Sequence, residues 1–477
     1  MLDFNFSYLT IEILTAILGI GLLILGLLVP KEHRKGFGYL TSAGLIGILV
    51  GTFYMFGINE STNKGMFIAD DFSVFFKQLF LVAAILVTLA ANDYVEKLEE
   101  GKSEFFALIV FATLGMMVIA SAGDLITMFV GIELMTISFY CLVGLKKRDS
   151  KVAEAGIKYL LLGGVSSAVI LYGLTLVYGT TGTTVITEIA NRVAQGSLAP
   201  ALLLGIIFLI AGFGFKISLV PFHMWSPDVY EGAPTPVTSF LATGSKAAAF
   251  VAFIRIFLDG MPSLQDNWLA LFIGLAMLSI IIGNLVAIPQ TNLKRMLAFS
   301  GVAQAGYLMT GMVAGNAAGV AGIGFYLFIY AVGTVGAFAV ATAFYNATGT
   351  DDIKDMSGLA QRNPLMAASL LVAMLSMAGI PPLAGFAGKL FLFAAVVEKG
   401  YLWVALVGLV MSMMSVYYYL NVAKAMYMND PVDDTPITLS GSMKLVLLSS
   451  VVVTLILGVW PTPLSDLALA AAQVLGL

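Results

Sequence analysis

Charge is scarce in this sequence. Only 11% of its 477 residues are Asp, Glu, Lys or Arg, against roughly a quarter in a soluble domain. Cysteine and histidine are scarcer still, with one Cys, Cys141, and two His, His33 and His223. Each shortage excludes something. With 59% hydrophobic residues and a mean hydropathy of +0.96, the chain leaves the soluble class. A net charge of −4, from 24 basic and 28 acidic residues, argues against a nucleic-acid binder working through a basic surface. One cysteine supports neither a disulfide framework nor an iron–sulfur cluster, and two histidines are too few for a haem or transition-metal centre. No cofactor or metal is therefore expected in this chain, and electrons are expected to travel elsewhere. Glycine is abundant, at 49 residues, which suits close helix packing in a lipid bilayer.

A spanning helix needs about 20 mostly apolar residues. That ruler finds fourteen candidates, near 8–29, 38–57, 72–91, 104–121, 124–144, 155–178, 201–225, 235–257, 268–288, 296–314, 319–346, 365–397, 400–427 and 443–463. The sequence thus predicts an all-α polytopic membrane protein, one membrane domain over 1–477. The first segment does not read as a cleaved signal peptide, because it carries Asp3 and Glu12 in place of a basic n-region. The polar stretches near 179–200 and 347–364 are too short to fold alone.

Basic residues set the orientation. With the amino terminus outside, loops and helix ends on the inner side hold fifteen: Lys31, Arg34, Lys35, Lys97, Lys102, Lys146, Lys147, Arg148, Lys151, Lys294, Arg295, Lys354, Arg362, Lys424 and Lys444. The outer side holds five, Lys64, Lys77, Arg192, Arg255 and Lys399. The positive-inside rule then places both termini on the outer face of a bacterial cell (inner) membrane. Four lysines remain inside spans: Lys158, Lys216, Lys246 and Lys389.

A lysine at the bilayer centre costs at least about 2.5–3.5 kcal/mol, so such residues usually serve a function. Lys246 and Glu133 fall near the middle of their segments, far from either interface. The competing reading is a structural ion pair or a snorkelling side chain, and it weighs most for Lys158, close to its span's end. Two segments should break. One reads Gly212-Phe213-Gly214-Phe215-Lys216-Ile217-Ser218-Leu219-Val220-Pro221-Phe222-His223, and the other Gly379-Ile380-Pro381-Pro382-Leu383-Ala384-Gly385-Phe386-Ala387-Gly388-Lys389. Pro221, Pro381 and Pro382 remove backbone donors, and a broken helix survives in a membrane only inside protein or beside a wet cavity. The breaks lie in the seventh and twelfth spans, five apart. A five-helix repeat must insert upside down, which implies an inverted pair, spans 4–8 (104–257) and 9–13 (268–427). A three-helix segment, 1–103, and a C-terminal helix, 443–477, flank the pair.

Buried Lys and Glu make a workable proton relay. Desolvation favours the neutral amine and a nearby carboxylate favours the ammonium, so moving Glu133 relative to Lys216 would pass a proton on. His223 is either a further station or a neutral histidine bonded at a helix end. Gly388-Lys389 and Gly244-Ser245-Lys246 only superficially evoke a phosphate loop, lacking its first glycine and the hydroxyl residue after lysine.

The stretch Pro221-Phe222-His223-Met224-Trp225-Ser226-Pro227-Asp228-Val229-Tyr230-Glu231-Gly232-Ala233-Pro234-Thr235-Pro236-Val237-Thr238 resembles the signature of the antiporter-like subunits of respiratory complex I, the subunit N family in particular. Asn292-Leu293-Lys294-Arg295-Met296-Leu297-Ala298-Phe299-Ser300 fits the same family. The resemblance covers essentially the whole chain. It implies fourteen helices in two inverted five-helix units, and proton pumping driven by quinone reduction in other subunits. Those subunits would carry NADH, FMN, iron–sulfur clusters and quinone. Partners would be the other membrane subunits of complex I, including sister antiporter-like subunits, and the lipid bilayer, with no nucleic acid. By resemblance, Glu133 and Lys216 are the paired glutamate and lysine, Lys246 the connecting lysine, Lys389 the terminal one and Lys158 a further family lysine. Gln304 stands where many relatives carry histidine, so any relay there would use water held by its amide. The alternative is a subunit of a multi-subunit Na⁺/H⁺ antiporter without redox coupling, and a third reading is a structural spacer.

Overall fold

The computed structural model describes every residue except 1–4, 31–35, 147–148, 197–198 and 432. Asp3, Lys31, His33, Arg34, Lys35, Lys147 and Arg148 of the reading above lie outside the described residues. Among the described residues, twelve helices are long and apolar enough to cross a membrane. The first six are Phe6–Leu28, Phe37–Met55, Asp71–Glu96, Lys102–Ala120, Leu125–Val143 and Ser150–Thr181. Thr235–Asp259, Pro262–Ala287, Leu293–Ala314, Ala317–Thr348, Leu402–Met428 and Gly441–Val459 complete the set. Two shorter apolar helices, Pro200–Lys216 and Pro364–Ala378, each continue past a break into a second piece, Trp225–Gly232 and Ala384–Glu398. Counting each broken helix as one crossing gives fourteen, numbered below as spans 1–14.

The two breaks share a backbone design. Each opens with a left-handed residue, Ser218 (φ +61°) or Gly379 (φ +85°), and three positions later carries a cis proline, Pro221 or Pro382. The left-handed residue ends the first half, and the proline, lacking an N–H, cannot rejoin the ladder. Irregular backbone in a bilayer needs protein or a wet cavity around it; the prolines Pro221, Pro381 and Pro382 are themselves exposed. Ser218, Leu219 and Val220 are buried. At the second break span 14 lies so close that a Cβ on Gly458 would meet the Pro382 carbonyl oxygen at 2.1 Å.

The two five-helix units correspond beyond their breaks. Spans 6 and 11 both run 32 residues. Asp124 caps span 5 by accepting from Thr127 N, and Asn292 caps span 10 by accepting from Arg295 N. At each cap the chain pairs with the segment leaving the following span. Leu125 N donates to Thr184 O and Ile186 N to Gly123 O; Leu293 N donates to Asp351 O and Ile353 N to Thr291 O, all at 2.9 Å. Five crossings separate the copies, so they enter the membrane from opposite faces.

Two small elements were not anticipated, one of them a departure from an all-helical reading. Glu60–Thr62 pairs antiparallel with Phe67–Ala69 around a turn in which Asn63, Lys64 and Gly65 all have positive φ. Past span 14, Trp460 and Pro461 end the helix, and a separate helix, Thr462–Gln473, buries Leu464, Ala468, Ala471 and Ala472. The region 443–477 is therefore two helices where one was expected, because the proline interrupts it.

Candidate proton-translocation site

The site is built from lysines that the spans hold far from water. Lys216, the last residue before the first break, is buried, and its Nζ donates to Thr136 Oγ1 (3.0 Å) and Ser167 Oγ (3.4 Å) on spans 5 and 6. Glu133 sits one turn before Thr136 on span 5. Its Oε1 is buried with no hydrogen-bond partner among the described residues, and no ion pair within 4.0 Å joins it to Lys216 there. His223, on the break, is also buried with Nδ1 unpartnered, and its ring meets Phe299 of span 10 at 6.3 Å.

Lys246 follows a π-helical turn, Leu241–Ser245, in span 8, the kind of irregularity often found at functional sites. Its Nζ donates to the Gly301 carbonyl at 2.5 Å and lies 5.7 Å from the Tyr330 ring centroid. A Cβ on Gly301 would come within 3.1 Å of that Nζ, so the missing side chain makes room for the ammonium. Lys389 belongs to the second half of span 12 and reaches back to cap the first. Its Nζ donates to Met377 O (2.9 Å), Ala378 O (3.2 Å) and Ser412 Oγ (2.7 Å), over the Tyr307 ring at 4.4 Å. A cation at carbonyls that end a helix is favoured by the helix dipole.

Gln304 ties this end together. Its Nε2 donates to Met377 O, the carbonyl that also holds Lys389, and its Oε1 accepts from the Tyr326 hydroxyl. Tyr419 lies 3.5 Å from Nε2 and shares a hydrogen bond with Ser300. These tyrosines escaped the sequence reading. The run Tyr417-Tyr418-Tyr419 inside an apolar span was the available signal, since a phenol hydroxyl in lipid needs a partner.

Lys158 stands apart from these lysines. It is 40% exposed and pairs with Glu154 and Asp228, both at 2.8 Å. Asp228 also accepts from Arg295, which reaches Glu231 at 3.1 Å. The stretches around Asp228 and Arg295 thus meet as one partly exposed ion-pair cluster.

Four cations assigned to loops and helix ends are in fact buried, Arg362 among them with Asp433 at 3.5 Å. Lys77 pairs with Glu12 at 2.7 Å, Arg255 with Asp70 at 2.7 Å and Lys294 with Asp351 at 3.1 Å. Each countercharge arrives from a different part of the chain, which a span-by-span reading does not see. Burial pushes the Asp351 carboxyl above its usual range, and Lys294 pulls it back. The pair borders a polar cavity of about 270 Å³ that also reaches Lys146, Asp149 and Glu231.

Over 474 residues the chain is 58% identical to NADH-quinone oxidoreductase subunit N of Heliobacterium modesticaldum, covering 99% of this chain and all of that protein. The chain belongs to the NADH-quinone oxidoreductase subunit N family. The broader family described as NADH:quinone oxidoreductase/Mrp antiporter, TM, matches residues 122–415, from the cap of span 5 into span 13. Among solved structures, a chain of respiratory complex I from Thermus thermophilus is similar at 33% identity and TM-score 0.81, over 96% of this chain and 99% of that one. A chain of the Mrp complex from Dietzia sp. DQ12-45-1b shares the fold, with TM-score 0.85 at 22% identity over 97% of both. Subunit N architecture accounts for the fourteen crossings and the paired breaks, in a multi-pass membrane protein.

Proposed function

We infer that this chain is a proton-translocating membrane subunit of a complex I-type NADH-quinone oxidoreductase, with Lys216, Lys246 and Lys389 as its relay and Glu133 as the modulating carboxylate. One observation carries the assignment of the sites. Among the described residues, these three buried lysines have no carboxylate within 4.0 Å and rest on hydroxyl and carbonyl oxygens alone, whereas Lys77, Arg255 and Lys294 are each neutralised. Burial without a countercharge disfavours the ammonium, so such an amine gives up its proton readily, whereas a paired one is held charged. The Na⁺/H⁺ antiporter reading is less supported, because full-length identity of 58% is to a subunit N.

In this reading His223 and Gln304 flank the relay as secondary groups, and Pro221, Pro381 and Pro382 hold the breaks open for it. Lys158 belongs to the surface cluster. Residues 104–257 and 268–427 form the two inverted units, flanked by 1–103 and 443–477. Both termini face outside, and sister subunits adjoin the chain in the membrane. NADH, FMN, iron–sulfur clusters and quinone belong to other subunits of the complex, whose redox work drives the relay. The test is proton translocation by the assembled complex in proteoliposomes. Lys389→Ala and Glu133→Ala should each lower it several-fold with the chain still present at its normal ratio. Unaltered pumping in both would sink the relay.

A further inference from the structure

Span 11 places two tyrosines between the lysines of spans 8 and 12. The Tyr330 ring centroid lies 5.7 Å from Lys246 Nζ, and Tyr326 stacks on Tyr330 with ring centroids 6.4 Å apart and planes 13° from parallel. The Tyr326 ring, 1% exposed, fills the space that Gly388 leaves open beside Lys389, where a Cβ would run into its Cδ2. Its hydroxyl donates to Gln304 Oε1. The other edge of that amide faces span 12: Nε2 donates to Met377 O at 3.1 Å, and the same carbonyl accepts from Lys389 Nζ at 2.9 Å. A carbonyl only accepts, so one orientation of the amide serves both neighbours, with its NH2 toward Met377 and its oxygen toward Tyr326. Turned over, it would strand the Tyr326 O–H in the core without an acceptor.

We propose that Tyr326 is a positioning residue for Lys389: its hydroxyl locks the Gln304 amide with the oxygen turned away from the lysine and the NH2 edge turned toward it. The idea rests on Lys389 being a relay group, and neither Tyr326 nor Gln304 carries the proton. Because Nζ and Nε2 share one acceptor, the positive edge of the amide dipole stands beside the ammonium and eases release of its proton. An unlocked amide turns its oxygen to Nζ instead, which gives the ammonium a further carbonyl and holds the proton back. The titratable groups around this point are phenols: Tyr307 of span 10 beneath the ammonium, Tyr326 of span 11, and Tyr419 of span 13 at the amide. The first half of span 12, Pro364–Ala378, holds no titratable side chain, and span 14 holds only Lys444, at its inner end. A purely structural role for the hydroxyl, as glue between spans 10 and 11, is the competing account.

The pH profile of proton translocation by the assembled complex in proteoliposomes separates the two. In Tyr326→Phe, with the chain at its normal ratio, translocation should fall several-fold near neutral pH and recover at higher pH, the profile moving about one pH unit to the alkaline side. Gln304→Glu, which places an oxygen on both edges of the group, should move the profile the same way, and it decides the matter if Tyr326→Phe lowers the content. Made on Gln304→Leu, Tyr326→Phe should add no shift, because the amide it acts through is gone. Glue predicts a lower rate or content with the profile unmoved. An unmoved profile in an assembled complex, or a shift that persists on Gln304→Leu, overturns the positioning role while leaving the relay intact. Unchanged pumping in Lys389→Ala, measured alongside, overturns both.

Discussion

A buried cation in a bilayer either has its charge cancelled or is placed where losing its proton is useful, and the lysines and arginine here divide along that line. Arg255 has Asp70 at 2.7 Å, accepts no compromise in burial and also donates to the Ala120 carbonyl. Removing one partner of such a pair strands the other, at a cost of about 3–5 kcal/mol, whereas replacing both with apolar side chains is often tolerated. Arg255→Ala should therefore lower the thermal stability of the purified protein sharply. Arg255→Met combined with Asp70→Leu should recover much of the loss and pump normally per assembled complex. Lys389→Ala should show the reverse, a stable fold with impaired pumping. Position along the chain alone put Lys77, Arg255, Lys294 and Arg362 at loops and helix ends, where the structure buries them. Burial depends on which distant residue answers the charge, as Glu12 does for Lys77 across 65 positions.

At the scale of elements, the breaks and the helices packed against them form one unit. Gly458 of span 14 lies against the second break, where a Cβ would sit 2.1 Å from Pro382 O and 2.6 Å from the Leu383 carbonyl carbon. Backbone atoms cannot step aside as a flexible side chain can. Gly458→Val should push span 14 from the break and reduce the amount of this chain in the purified complex. Gly47→Val, on span 2 where a Cβ meets nothing within 4 Å, should leave the content unchanged. The proline and glycine pattern was enough to locate both breaks. It could not show that Lys389 crosses its break to cap the preceding half, because that depends on the path of the chain between Gly379 and Ala384.

For the whole molecule, the two units run in opposite senses, and the orientation proposed above rests on the excess of basic residues on one side. Protease-sensitive tags on either terminus should therefore be cleaved in right-side-out vesicles and protected in inside-out ones. The opposite pattern would reverse the positive-inside reading. Apolar run lengths, glycine and proline placement and the buried Lys216, Lys246 and Lys389 were legible in the sequence, because the bilayer imposes length and polarity on each segment separately. Which lysines are left without a carboxylate among the described residues, and that Gln304 gathers Tyr326 and Tyr419, were decided only by tertiary structure. Those features arise where side chains from separate spans meet, and the alphabet of any one span carries no record of its neighbours.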